Sequence, residues 1–390
     1  MINLSSTTTN FIRNHQHDDV RSLALQAGKY PDVDIKAAIT QIAGRQAAAN
    51  KIPSWYAVEE LLYPQHLSLE QCSSEVTAHY KSTLCKGNTF TDLTGGFGVD
   101  CAFIAANFAK ATYIEKQSEL CIIAKHNFPL LGLNHISVLN EDAITYLRNM
   151  DPVDCIFIDP ARRDKHGKKT VQLSDCEPDV TLLEDLLLKK ANRVVIKLSP
   201  MLDISLALRE LKYATQVHIL SVHNDCKELL VILDKSDTDL VTLHCVNFAT
   251  TSQQEFTFSK IEEQNAQCVY TNEVDRFLYE PHASILKAGG YKIIAAKYNL
   301  KKLHPNSHLY TKDQYIEDFP GRVFQVEAYS SLKDKELLAG IDKANISTRN
   351  FPLSVADLRK RCKLKDGGEV YLFATTLQDN SKVLIRCKKF

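Results

Sequence analysis

The sequence predicts an α/β protein in which a mainly parallel sheet with helical crossovers is closed by an antiparallel final strand. A helical segment precedes the sheet and a small α+β segment follows it. Three observations predict this. From about residue 88, short β-rich runs alternate with helical patterns, the texture of a parallel sheet with right-handed crossovers. The last two runs, QVHILSV and ELLVIL, are joined by only HNDCK, too short for a helical crossover, so they pair as an antiparallel hairpin. The 390 residues also exceed what one ordinary core organises, so two or three domains are expected.

The first eighty or so residues read as helices. DVDIKAAITQIAGRQAAAN is Ala-rich with apolar residues at helical spacing and is stopped by Pro53. SLEQCSSEVTAHYKSTL has Ser68 three residues before Gln71, a capping-box spacing that predicts a helix starting at Ser68. The candidate strands that follow are NTFTDL, ATYIE, ISVLN, DCIFID, RVVIKL, QVHILSV and ELLVIL, with helices such as SELCIIAKHNF and VTLLEDLLLKK between them. After about residue 245 the alternation weakens. From His282 to Lys312 there are six lysines (287, 292, 297, 301, 302, 312) and no Asp or Glu, and from Phe351 onward nine Lys or Arg face four Asp or Glu. A separate small module with a basic face is expected there; a solvated lysine-rich surface is the other reading of the same charges.

Apolar residues at 44% and charged residues at 24% describe a globular chain. Its 47 basic and 47 acidic residues cancel, so a nucleic-acid footprint must be local. Eleven cysteines include no CxxC pair and no Cys/His cluster at zinc-ligand spacing, which argues against a structural metal and a disulfide framework and fits a reducing compartment. MINLSSTTTNFIRNHQHDDV lacks the apolar core of a signal peptide, and no run approaches a membrane span. The expectation is a cytoplasmic protein with no membrane and no metal partner.

In TDLTGGFGVD, Asp92 ends the first strand and Gly95, Gly96 and Gly98 form the turn into the next helix. Glycines there let the backbone approach a ligand closely, and the helix N-terminus favours negative charge. The dinucleotide fingerprint GxGxxG is not met, because Cys101 stands where its last Gly would fall. Glu115 ends the second strand, where a carboxylate can accept both hydroxyls of an adenosine ribose. Asp142, in NEDA after the third strand, can reach an adenine amine, and Asp159 ends the fourth strand. Ligands of open α/β sheets bind at the carboxyl ends of the strands, so all four acids point into one crevice.

With these residues the chain resembles the class I S-adenosylmethionine-dependent methyltransferases: DLTGGFG matches the glycine motif, YIEK the ribose acid, NEDA the adenine contact and IDPA the motif of the catalytic strand. More closely, SSEVTAHYK, DLTGGFGVD, DPARRD, KLSPMLD, EPHASILKAGGYK and NFPLSVADLRKRCKL resemble a bacterial methyltransferase family carrying a THUMP-like C-terminal domain. The resemblance implies a Rossmann-like seven-stranded sheet, S-adenosylmethionine as cofactor and RNA as the expected partner. The implied division is a helical domain over 1–84, the methyltransferase domain over 85–262, a small ferredoxin-like α+β segment over 263–322 and the THUMP-like domain over 323–390.

A methyl group leaving a sulfonium needs a nucleophile in line at about 3 Å, so the site supplies mostly positioning and proton handling. In amino-methylating relatives the acid of the fourth strand is followed by Pro-Pro and an aromatic that stacks on the base; here the third and fourth places are Ala161 and Arg162. Relatives that methylate a pyrimidine carbon carry Cys-Pro near the fifth strand, where this chain has Ser199 and Pro200. The Lys-Asp-Lys-Glu tetrad of ribose 2′-O-methyltransferases matches by position Lys81, Asp159, Lys197 and Glu228. A poised lysine can help remove a hydroxyl proton while carboxylates orient it; structural ion pairing is the competing account of the same four residues. Arg162, Arg163, Lys165, Lys168 and Lys169 follow Asp159, on a loop where the phosphates of a polynucleotide would pass. The leading expectation is an RNA methyltransferase. Methylation of DNA, protein or a small molecule, and a non-catalytic RNA-binding protein on this scaffold, remain the alternatives.

Overall fold

Side chains cap the first helices of the chain, which a computed structural model describes over residues 4–162, 172–235, 240–250, 252–334 and 336–390. Ser5 accepts from the Thr8 N–H ahead of α1 (Ser6–Asn14), Asp19 from Ser22 ahead of α2 (Val20–Leu25) and Asp34 from Ala37 ahead of α3 (Ile35–Lys51). Each bond satisfies a donor that the first turn leaves without a partner. Phe11, Leu23, Ala38 and Ile42 form the core between these helices. Pro53 ends α3 as expected and opens the single turn α4 (Pro53–Tyr56).

The helix expected from Ser68 is instead two. α5 (His66–Gln71) stops before Cys72, and α6 (Glu75–Leu84) begins after Ser74. Tertiary bonds override the local capping signal here: Ser73 is buried and held by Lys81 and Asp100.

Two side-chain amides fasten the segment after α4. Gln41 exchanges both hydrogen bonds with the Tyr63 backbone, at 2.9 and 2.8 Å, and Asn127 does the same with Leu62, at 2.9 and 2.8 Å. A buried amide that satisfies both backbone groups of its partner leaves no polar atom stranded.

The sheet strands are β1 (Thr89–Asp92), β2 (Lys110–Glu115), β3 (Ile136–Asn140), β4 (Val153–Ile158), β5 (Ala191–Leu198), β6 (Ala214–Val222), β7 (Asp225–Asp234), β8 (Thr242–Phe248) and β9 (Gln253–Ser259). Their order is β9-β8-β6-β7-β5-β4-β1-β2-β3, with β3, β2, β1, β4 and β5 parallel. His223 and Asn224, with φ of 51° and 64°, make the tight turn that sends β7 back along β6. The expected antiparallel closing strand is therefore present. β8 and β9 extend the sheet beyond the seven expected strands; their direct antiparallel pairing leaves no helix between them, which is why the alternation fades in the sequence. Cys155, Ile156, Phe157 and Ile158 of β4 and Val194, Val195 and Ile196 of β5 are almost wholly buried, as central parallel strands covered on both faces must be. Helices α7 (Val99–Ala105), α8 (Ser118–Leu130), α9 (Ala143–Asn149), α10 (Val180–Lys190) and α11 (Ile204–Glu210) supply the crossovers.

The chain divides into two compact units, Met1–Thr215 with Leu230–Asp237 and Gln216–Leu229 with Thr238–Phe390. In the second, β10 (Phe277–Pro281), β11 (Tyr310–Lys312), β12 (Gly321–Ser331), β13 (Asn345–Arg349), β14 (Val370–Thr376) and β15 (Lys382–Lys389) belong to an eight-stranded sheet whose remaining members are the two-residue ladders at 269–270 and 301–302. Leu278, Leu303, Leu309, Phe324, Phe373 and Ile385 lie in its main core. The unit also holds α12 (Lys260–Asn265), α13 (Ala283–Ala288), α14 (Ile293–Tyr298) and α15 (Val355–Cys362). No helix among the described residues is long and apolar enough to cross a membrane, and no three His, Cys, Asp or Glu side chains gather there as metal ligands.

Candidate active site

Strand β1 delivers Asp92 to its buried carboxyl end, where the Thr94 N–H donates to it at 2.9 Å. The chain then turns tightly. The Gly95 N–H donates to the Ile114 carbonyl at 2.8 Å, and a Cβ at Gly95 would lie 2.1 Å from the Tyr113 ring; no side chain fits there. Gly96 and Gly98 take φ of 55° and 90°, conformations natural to glycine. The three glycines singled out in the sequence thus serve one close approach and two left-handed positions.

Glu115 ends β2 beside this turn. One of its oxygens accepts from the Gly96 N–H at 3.0 Å and the other from the Gln117 N–H at 2.8 Å. A carboxylate oxygen has a second lone pair, so both remain able to accept a hydroxyl. Asp142 caps α9, accepting from the Thr145 N–H and hydroxyl at 2.9 and 3.0 Å; the backbone bond holds its carboxyl below the usual range. The Asp142 position is exposed, so the cap orients a carboxylate that solvent or a ligand can reach.

Asp159 follows β4. Its N–H donates to the Thr94 hydroxyl at 2.6 Å, and the Leu93 N–H donates to the Phe157 carbonyl at 3.0 Å. These bonds stitch the end of β4 to the turn after β1. Lys197, near the end of β5, donates to Asp159 Oδ2 at 2.7 Å and to Asp100 Oδ2 at 3.1 Å. On the far side of Asp100, Lys81 Nζ lies 3.1 Å from Oδ1, and the Ser73 hydroxyl donates to Oδ2 at 2.8 Å. Lys81 also donates to the Ser73 hydroxyl at 2.9 Å, and the Lys81 side chain is fully buried.

Of the four expected catalytic residues, Lys197 and Asp159 are in direct contact, and Lys81 is linked to them through Asp100. Glu228 is buried on β7, in the part of that strand belonging to the second unit. The sequence reading missed Asp100 and Ser73. Asp100 stands two residues after Gly98 in the same glycine motif, but an acid in the first turn of a helix is ordinary, and only the fold shows two lysines facing it. The expected basic loop lies mostly outside the described residues: Arg163, Lys165, Lys168 and Lys169 are not among them, and only the backbone of Arg162 is, in a short ladder in which it pairs with Cys176.

The charges of the crevice are unequal in their consequences. Burial, reinforced by Asp100, Asp159 and Glu115 and only partly opposed by the Thr94 N–H, pushes the Asp92 carboxyl well above its ordinary range. Burial also acts to raise Asp100, but Lys197 and Lys81 overcome it and hold that carboxyl at about 2.

A mainly parallel sheet whose seventh strand is reversed, a glycine turn, and acids at or just after the ends of its first four strands define the class I S-adenosylmethionine-dependent methyltransferase fold. The models of known families agree at the C-terminus: residues 277–320 match a ferredoxin-like domain and residues 321–389 a THUMP-like domain. The crystal structure of a candidate methyltransferase from Porphyromonas gingivalis W83 is 35% identical, with a TM-score of 0.87, over 98% of this chain and 97% of that one. The chain belongs to that family, the class I methyltransferases with a THUMP-like C-terminal domain.

Partial likenesses extend to a candidate methyltransferase from Streptococcus mutans in complex with SAH (15% identity, TM-score 0.31, 42% of this chain and 97% of that one). An rRNA methylase from Streptococcus thermophilus stands at 14% identity and TM-score 0.31 over 41% of this chain and 95% of that one. Neither is near enough to bear on this chain's chemistry. No curated protein matches the chain.

Proposed function

We propose that the protein is an S-adenosylmethionine-dependent methyltransferase that acts on RNA at a ribose 2′-hydroxyl. The observation that carries this reading is the Lys197 ammonium held 2.7 Å from the Asp159 carboxylate at the end of β4. The site fits the cofactor: the turn at 95–98 excludes a side chain at Gly95 and holds Glu115, the α9 cap holds Asp142, and both acids remain able to accept hydrogen bonds. Glu115 would hold the ribose hydroxyls, Asp142 the adenine amine, and Asp92 would face the cationic end of the cofactor, where its raised carboxyl gains a counter-charge. When bound, the cofactor supplies an electrophilic methyl group.

The chain's own residues do the rest. Asp159 accepts the hydrogen of the attacking hydroxyl and orients its oxygen, and Lys197 offsets the negative charge that grows as that proton leaves. Ala161 and Arg162 stand where a base-stacking aromatic would be, which favours a sugar target over a base amine. RNA as the partner draws support from the THUMP-like segment and from α15, where Lys360, Arg361 and Lys363 are exposed at the helix end.

The test is transfer of labelled methyl to RNA from a strain lacking the gene, followed by nucleoside analysis. Labelled 2′-O-methylribose is the expected product. A labelled base would discard the ribose assignment, and label in DNA or protein alone would discard RNA.

A further inference from the structure

We propose that Asp100 is a positioning residue for this methyl transfer: it fixes the Lys197 ammonium against Asp159 and ties the pair to the cofactor turn, with Ser73 and Lys81 bracing it from behind. The inference rests on the methyltransferase reading and assigns a role that the expected tetrad does not contain.

Three observations carry it. First, the bonds close a ring. Thr94 holds the Asp159 N–H, Asp159 holds Lys197, Lys197 holds Asp100, and Asp100 sits in the first turn of α7, directly after the glycine turn that begins at Thr94. Displacing the turn therefore displaces the carboxylate that meets the nucleophile. Second, both oxygens of Asp100 face a partner: Oδ2 accepts hydrogen bonds from Lys197 and Ser73, and Oδ1 lies in ion-pair contact with Lys81 Nζ at 3.1 Å without accepting a hydrogen bond. Third, Lys81 and Lys197 are opposed by Asp100 in a buried region, with side-chain exposures of 0% and 11% for the two lysines and 11% for Asp100, while Asp159 at 38% opens toward solvent. Removing Asp100 would take away the carboxylate that both ammonium groups contact, which desolvation penalises.

The groups facing Asp100 come from every neighbouring element. Lys81 comes from α6, Lys197 from β5, Asp92 from β1 and Asp159 from the end of β4, with the Cys72 thiol ahead of α6 and Cys101 beside it on α7. Neutralising Asp100 removes the carboxylate that anchors Lys197 on the side away from Asp159, so the ammonium is freer to leave its place against Asp159.

The experiment compares the full-length wild type with Asp100→Asn and Ser73→Ala. Methyl transfer to RNA from the deletion strain is measured, and solvent exchange of the Lys197 ammonium of the SAH-bound protein is followed by nitrogen-15 NMR, its signal assigned with Lys197→Met. For Asp100→Asn, kcat is expected to fall about 30-fold or more with KM for the cofactor within about threefold. The Lys197 ammonium protons are expected to exchange with solvent about threefold faster or more. Ser73→Ala is expected to give the same signs with about a threefold to tenfold loss, and it decides the matter if Asp100→Asn does not fold. A wild-type kcat, or a lowered kcat with the Lys197 exchange unchanged, overturns the inference. If the wild type transfers nothing to RNA, the functional reading fails, and the exchange of the Lys197 ammonium still decides whether Asp100 positions the Lys197–Asp159 pair.

Discussion

Two regions that look equally charged in the sequence behave differently in the molecule. In the first unit, Asp92, Asp100, Asp159 and Lys197 arise on separate elements, yet the fold draws them to one end of the sheet, where Lys197 bridges Asp100 and Asp159. In the second unit, the lysine run from 287 to 312 reads as an open positive face, but five of its six lysines bond to oxygens of the same chain. Lys292, Lys297, Lys302 and Lys312 donate to the carbonyls of Gln264, Thr257, Pro305 and Tyr298, and Lys301 pairs with Asp275. Topology dictates where an acid at a strand end points. A lysine on a four-carbon stem finds whichever oxygen lies within reach, so counting charge along the chain says little about the surface it leaves.

The sharpest way to break this comparison is to remove the acid that should matter most. Asp159→Ala is expected to lower methyl transfer at least about 100-fold while SAH still binds within about threefold by calorimetry. Retained activity would return Asp159 to a purely structural pairing with Lys197. Gly95→Ala tests the turn itself: because the added Cβ meets the Tyr113 ring at 2.1 Å, SAH affinity is expected to fall at least about tenfold, with a lower Tm from overpacking.

The second unit is tested by contrast. Changing Lys360, Arg361 and Lys363 of α15 together to Ala is expected to weaken RNA binding about tenfold and to reduce the salt dependence, log K against log salt, by about two units. Lys302→Met, in a side chain that is buried and tied to Pro305, should instead leave RNA affinity unchanged and alter Tm. If the two sets exchanged effects, the division between inward and outward lysines would be wrong.

The smallest expected effect concerns pH. Asp92 in the ligand-free protein titrates above its ordinary range, because burial and three neighbouring carboxylates disfavour its charge. A raised carboxyl favours the folded state at low pH and loses that contribution as pH rises through its folded value. A cationic cofactor favours the ionised form, so binding should release a proton and tighten with rising pH, by at most about tenfold per unit, across the window between the ligand-bound and ligand-free values. Calorimetry in buffers of different ionisation enthalpy reads this directly, and S-adenosylhomocysteine, which lacks the sulfonium charge, should show less of it.

What the amino-acid order determined on its own was periodic. Strands β1 to β7 and the glycine turn follow from alternating runs and from residue types that tolerate few backbone states, and the acids at the strand ends follow from the side of a parallel sheet on which its ligands must lie. The break between α5 and α6 and the role of Asp100 were decided by tertiary structure. Local signals favoured a continuous helix from Ser68 and an ordinary acid in a first turn. Ser73 and Asp100 meet Lys81 and Lys197 only once the helices pack on the sheet, and buried charges then outweigh any preference that a few adjacent residues can express.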